Sequence, residues 1–368
     1  MLRSIAFLLV AACASVCAKE PTQTPEAGAK FVGAVGCRSS SCHGGAGEKR
    51  SQYITWSQKD FHIRAYAILL DARSARIGEA VGVSQPQSSA RCTICHSPFQ
   101  AVAQTRLTST ARPDEGVSCE SCHGAAEPWL RGHTRPDWTY ATRVSAGMHD
   151  LRNLYVRANA CVACHQNVDA DILKAGHPEL VFELDSQSVN EPKHWRDDDR
   201  WSGVRSWLTG QAVALREVMW ALNTQSAPSD EMKAQGSALG WLLFRTTEAV
   251  PSLPPISSGM LKVTDATQKA ADELAHVAAA ASWSEASVRG LLVALASTEK
   301  EFTGGLIVPA AAPQRAQRLV LALDRLSAAL GVANLEKELS ALRSDVQRHY
   351  DFDVAAFAEH LRAFRAKL

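Results

Sequence analysis

Past its first 18 residues the chain has no apolar run approaching the roughly 20 residues that a membrane-crossing helix needs, so a membrane-spanning core is excluded. It also lacks a charge of one sign. Over 368 residues, 39 Lys+Arg face 38 Asp+Glu, a formal charge of +1, and that balance excludes a strongly basic nucleic-acid binder. Cysteine is absent beyond Cys164. The cysteines that do occur are grouped so that none is left over for a disulfide framework.

Residues 1–18 read as a signal peptide, with Arg3 as the positive region, Ile5 to Ala12 as the apolar stretch and Val16-Cys17-Ala18 as a small-residue cleavage site. Val10-Ala11-Ala12-Cys13 also resembles a lipoprotein cleavage box, which would make Cys13 a lipid anchor. Either way the chain is expected to be exported to the periplasm. Residues 19–30 (KEPTQTPEAGAK) are rich in Pro, Thr and Gly and read as a flexible tether.

Of ten cysteines, Cys13 and Cys17 lie in the leader, and the other eight form four pairs, each followed directly by histidine. The sets are Cys37, Cys42 and His43 in CRSSSCH, Cys92, Cys95 and His96 in CTICH, Cys119, Cys122 and His123 in CESCH, and Cys161, Cys164 and His165 in CVACH. Chance at this composition supplies on the order of 0.01 C-x-x-C-H matches, and three are present. The chemistry such a spacing serves is covalent haem attachment, with two thioethers to the vinyl groups and the next histidine under the iron. Zinc does not need histidine immediately after the second cysteine. A disulfide across two residues would staple almost nothing, and a catalytic dithiol needs one motif, not four. Four covalently attached haem c groups are therefore expected, the first on a loop that bulges to accommodate four intervening residues.

The proximal histidines are spaced 53, 27 and 42 residues apart, which is not a repeat period. A tetrahaem domain of short helices and long loops is expected over residues 31–200, with the cofactors forming much of its core. Between Cys37 and Arg200 stand 15 Arg and 4 Lys. That bias suits propionate pairing, although an arginine-rich composition accounts for it equally well.

Residues 201–368 carry apolar positions at helical spacing: Val204, Leu208, Leu215, Met219 and Leu222, then Leu319, Leu323, Leu326 and Leu330 with Gly331 as a stop. Asn334 and Asp353 are candidate caps, and Ser282 with Glu285 a candidate capping box. Five or six helices in a bundle are expected, so the fold class is mainly α throughout.

Twelve histidines are present. Beyond the four proximal ones, His62, His133, His149, His177 and His194 lie within the haem region. His276, His349 and His360 fall on the bundle, where solvated or satisfied roles are expected. Five local candidates thus serve four sixth coordination positions.

The stretches FVGAVGCRSSSCHGG followed by Trp56, Ser57 and His62, GVSCESCHGAAEPWLRGH, and CVACHQN followed by AGHPELVFEL and EPKHW resemble the multihaem c-type cytochromes of the cytochrome c-554 type. The resemblance implies periplasmic electron transfer with periplasmic redox proteins as partners, mostly bis-histidine haems, and closely stacked haem pairs. It matches His133 to a distal ligand of the first haem and His62 to that of the fourth. His177 and His194 match histidines of the AGHP and P-x-HW stretches, and His149 matches none. The chain departs from the pattern in its long first motif and in having no further motif beyond His165. A second function class, a multihaem reductase of a small nitrogen oxide or hydroxylamine, requires a five-coordinate haem. By the resemblance that haem would be the one of Cys92, Cys95 and His96.

Overall fold

The structure, a computed structural model, describes residues 28–195, 199–257, 265–303, 311–347 and 351–368. The expected leader, residues 19–27 of the expected tether, and His349 lie outside the described residues. The chain is mainly α. Among the described residues the sole strand-like pairing is an isolated bridge between Phe31 and Leu107.

Up to about residue 150 the helices are short, because Gly, Pro and Ser/Thr punctuation recurs before a third turn can form. Gln52–Lys59, Ala72–Ala80 and Ala90–His96 are representative. Their starts are set locally: Asp71 accepts from the Ser74 N–H at 2.7 Å and Thr139 from the Thr142 N–H at 3.1 Å. Buried apolar side chains here form only two small groups, Val32, Ala126 and Trp129, and Phe99, Leu107 and Ala111. Leu154–His165 is longer, since Asn153 caps it at 3.0 Å and its Leu154, Ala158 and Val162 share one buried face.

That face packs on the helix Ser202–Thr224, the axis of the C-terminal half, in which Trp207, Leu208, Ala212, Val213, Leu215 and Val218 have no exposure. Around it stand Asp230–Ala249, Asp265–Ala280, Glu285–Ala296, Ala312–Leu330, Glu336–Gln347 and Val354–Arg365, with a single turn at Glu299–Thr303. Among the described residues the bundle therefore has seven long helices, not the five or six expected. One helix that the stripes leave out buries small residues: Asp265–Ala280 presents Ala271, Ala275 and Ala278 beside Leu274, a face too weakly apolar to register as a stripe.

Helix ends follow local chemistry, with two corrections. Gly331 stops its helix in the left-handed region at φ 64°, and Asp353 accepts from the Ala355 and Ala356 N–H groups at 2.9 and 3.0 Å. The capping box, however, is Ser284 with Ser287 (2.9 and 3.2 Å), while Glu285 turns outward to Arg200 and Arg289. Asn334 is no cap. It sits at φ 71° in the preceding turn, because burial of Leu335 draws that residue into the position before Glu336.

One segment of the N-terminal half penetrates the bundle. Phe182, Glu183 and Leu184 are at most 1% exposed. Buried Arg318 donates to the Phe182 carbonyl at 2.7 Å and to Gln211 at 3.0 Å, and Arg325 pairs with Asp185 at 2.6 Å. Gly210 permits the approach, since a Cβ there would lie 2.8 Å from the Leu184 backbone nitrogen. The large core accordingly includes Leu154, Ala158, Val162, Phe182 and Leu184 together with the bundle residues.

Candidate haem-binding site

Three of the four cysteine sets sit at the C-terminal end of a helix that stops at its histidine: Ala90–His96, Cys119–His123 and Leu154–His165. A helical turn brings the two cysteines onto one side with the histidine beneath. The first set closes differently. Its extra residues form a turn in which Cys42 N–H bonds the Ser39 carbonyl at 2.8 Å and His43 N–H returns to the Cys37 carbonyl at 3.2 Å. Gly44 is needed there, because a Cβ would collide with the Arg38 carbonyl.

Each proximal histidine faces one of the candidate distal histidines. Ring centroids are 6.1 Å apart for His43 and His133, 6.3 Å for His96 and His177, 6.3 Å for His123 and His194, and 6.0 Å for His165 and His62. An iron held between two imidazoles requires about 6 Å, two metal–nitrogen bonds of about 2 Å plus half a ring on either side. All four pairs fit that requirement. The planes are near parallel in the first pair, at 18°, and strongly crossed in the others, at 83°, 63° and 88°.

Hydrogen bonding selects the ligating nitrogen. Nδ1 of His43 lies 3.0 Å from Gln52 Oε1, that of His96 3.0 Å from the Ala65 carbonyl, that of His133 2.6 Å from the Leu130 carbonyl and that of His177 2.8 Å from the Pro178 carbonyl. A carbonyl only accepts, so Nδ1 carries the proton and Nε2 offers its lone pair. Burial acts on the basicity of several rings in this region. It lowers the pKa of His96, His133, His165 and His194, and takes His123 down to about 4. His62 is shifted the other way, raised by its hydrogen bond to Asp60. A metal ligand must be deprotonated, so the five lowered rings suit coordination without a proton to expel.

His149 faces no second ligand. Its Nδ1 donates to the Cys122 carbonyl at 2.8 Å and its ring lies against Gly124, so it walls the third motif. In the bundle, His276 stacks on Tyr155 at 3.6 Å and His360 hydrogen-bonds buried Asp345 at 2.6 Å, the satisfied roles expected of them.

The motifs themselves are packed together. The Cys37 and Cys119 thiols lie near enough to perturb each other, as do those of Cys95 and Cys164. Glu120, between the cysteines of the third set, is 2% exposed and accepts from Val32, Gly33 and Ala126 N–H groups at 3.0, 2.6 and 2.6 Å. This carboxylate ties the strand leading into the first motif to the third. Sequence reasoning passed over Glu120 because an acidic residue between two cysteines looks like solvated filler. Asp60 was also missed, although a D-x-H spacing is a signal for a carboxylate turning back on a nearby ring.

Residues 36–124, which contain the first three cysteine sets, match the family model for cytochrome c554 and c-prime. No curated protein and no solved structure matches the chain. Taken with the attachment motifs and the fit of the histidine pairs, the match supports a c-type cytochrome, a haem c electron-transfer protein whose cofactor is covalently attached.

Proposed function

We propose that the chain is an exported tetrahaem cytochrome c that relays electrons between periplasmic redox partners through four bis-histidine haems. The ligand pairs are His43 with His133, His96 with His177, His123 with His194, and His165 with His62. The observation that carries this reading is the recurrence of one separation, 6.0 to 6.3 Å, in all four pairs. When bound, haem iron supplies a reversible one-electron couple.

The protein's own groups supply attachment, orientation and exclusion of substrate. Cys37, Cys42, Cys92, Cys95, Cys119, Cys122, Cys161 and Cys164 provide the thioether sulfurs. Carbonyl partners on Nδ1 lock the ring orientations. The nearness of Cys37 to Cys119 and of Cys95 to Cys164 supports close haem neighbours, first with third and second with fourth. Electrons can then pass between the members of each pair without leaving the protein.

A nitrogen-oxide or hydroxylamine reductase needs an open iron, and His177 stands opposite His96, the site where openness was expected. The test is spectroscopic. Intact mass should show four haems, and electron paramagnetic resonance should show low-spin iron throughout. His133→Ala should convert one haem to high spin and let it bind carbon monoxide. A full haem of high-spin iron in the unmodified protein, with catalytic turnover of a small substrate, would sink the relay reading. Free thiols at Cys37 and Cys42 would remove the first haem.

A further inference from the structure

The Nδ1 partners of the ligand histidines are not chemically alike. Those of His43, His96, His133 and His177 are neutral oxygens, from the Gln52 amide and the carbonyls of Ala65, Leu130 and Pro178. Nδ1 of His62 instead lies 3.0 Å from Asp60 Oδ1. Asp60 is 8% exposed, and the same oxygen accepts the His62 backbone N–H at 2.9 Å, capping the turn Phe61–Arg64. The carboxylate is thus held against the ring by its own backbone. A second carboxylate adjoins it: the ligand atoms of Asp60, His62 and Glu191 all lie within 4.8 Å of one another. Arg157 is a cation acting on Glu191, and its Nε–H is committed to the Leu151 carbonyl at 2.8 Å.

Two physical effects follow, and they share a sign. An N–H donated to a carboxylate makes the opposite nitrogen a stronger donor than one donated to a carbonyl, which favours ferric over ferrous iron. Buried negative charge beside the iron also opposes the arrival of an electron, and low local dielectric enlarges that opposition. We propose that Asp60, acting through His62 as a positioning residue, holds the haem of Cys161, Cys164 and His165 at the lowest reduction potential of the four. The proposal rests on the bis-histidine reading above. It makes that haem the last to fill on reduction and the first to empty.

The test is a spectroelectrochemical titration of the four-haem protein at fixed pH, followed by electron paramagnetic resonance. His62→Met first marks which potential belongs to this haem, because a thioether ligand raises it and adds a sulfur-to-iron charge-transfer band. Asp60→Asn keeps the turn cap, since Asn caps as well as Asp, and removes the charge. The expected result is an upward shift of the marked potential, the other three unmoved, all iron low-spin, and return of the low value in Asp60→Glu. Should Asp60→Asn fail to carry four haems, Asp60→Ser, which also caps, has the same expectation. An unchanged marked potential in these variants overturns the proposal, as does a marked haem that is not the lowest in the unmodified protein. If His62→Met alters no haem at all, the bis-histidine reading of this haem fails, and that outcome is read without any Asp60 variant. Zinc binding at one equivalent that Asp60→Asn abolishes, with a high-spin haem in the unmodified protein, would assign Asp60, His62 and Glu191 to a cation site and likewise overturn the proposal.

Discussion

From Ser202 onward the chain buries Trp207, Leu208, Leu239, Leu242, Leu291, Leu323, Phe357 and Phe364 with no exposure at all, whereas residues 28–150 gather two groups of three buried apolar side chains. The bundle therefore closes with its own side chains. The haem half does not, and what organises it is polar: Glu120 drawing three backbone N–H groups together, Nδ1 bonds on the histidines, and caps on short helices. Such a region is expected to order around covalently held haem, because eight buried apolar side chains cannot offset the conformational entropy of more than a hundred residues. Charge divides the halves less than packing does. Residues 19–200 hold 21 Lys+Arg against 21 Asp+Glu, and residues 201–368 hold 17 against 17.

The largest expected effect breaks the comparison directly. Chain produced without haem attachment should lose amide-exchange protection and protease resistance over residues 28–150 while the bundle helices keep both. Equal protection in the two halves would show that the haem region has a core of its own.

A smaller change tests the join. Phe182 lies in the segment that leaves His177, crosses the bundle core and returns at His194. Phe182→Ala should cost about 3–5 kcal/mol in denaturant unfolding. It should also produce high-spin, carbon-monoxide-binding iron at the haems of His96 and His123 while sparing the haem of His43 and His133, whose ligands both precede the segment. Lost stability with unchanged spin states would make the bundle a neighbour and not a support for distal ligands.

Within the haem half, the ring planes predict a spectroscopic split. The pair at 18° should give an ordinary rhombic low-spin signal, and the crossed pairs at 63°, 83° and 88° signals with a much larger maximum g. Replacement of His133 should remove the rhombic signal alone. Four identical signals would contradict the crossed geometry.

The smallest effect concerns docking. A ferric bis-histidine haem with ionised propionates adds about −1 and a ferrous one about −2, so four of them place about −4 to −8 on the haem half and none on the bundle. Electron transfer with a basic partner should slow as ionic strength rises through the physiological range. A rate indifferent to salt would mean that docking uses another surface.

Much of the candidate site was legible along the chain because haem attachment is local chemistry: two cysteines and a histidine within five residues carry the reaction wherever they occur. The same holds for Gly331 and Asp353, where one residue's conformational freedom or oxygen atom acts on its immediate neighbours. Among the described residues seven long bundle helices stand where apolar spacing predicts five or six, and alanine faces such as Ala271, Ala275 and Ala278 acquire their apolar role only against a partner helix. Ser282 and Asn334 were plausible caps whose positions burial of Trp283 and Leu335 overrode.

By itself the amino-acid sequence determined the mainly helical class, the four Cys-Cys-His sets and the pool of further histidines around them, since each follows from residues close in the chain. Tertiary structure alone decided which histidine faces which, with His43 and His133 separated by 90 residues and His62 and His165 by 103. It also decided that His149 is a wall, that Asp60 turns a carboxylate on one ring of the set, and that Phe182 roots a ligand-bearing segment in the bundle. The physical reason is common to these: each depends on a contact or a burial across a packed interior, and no local spacing encodes which distant surface a side chain will meet.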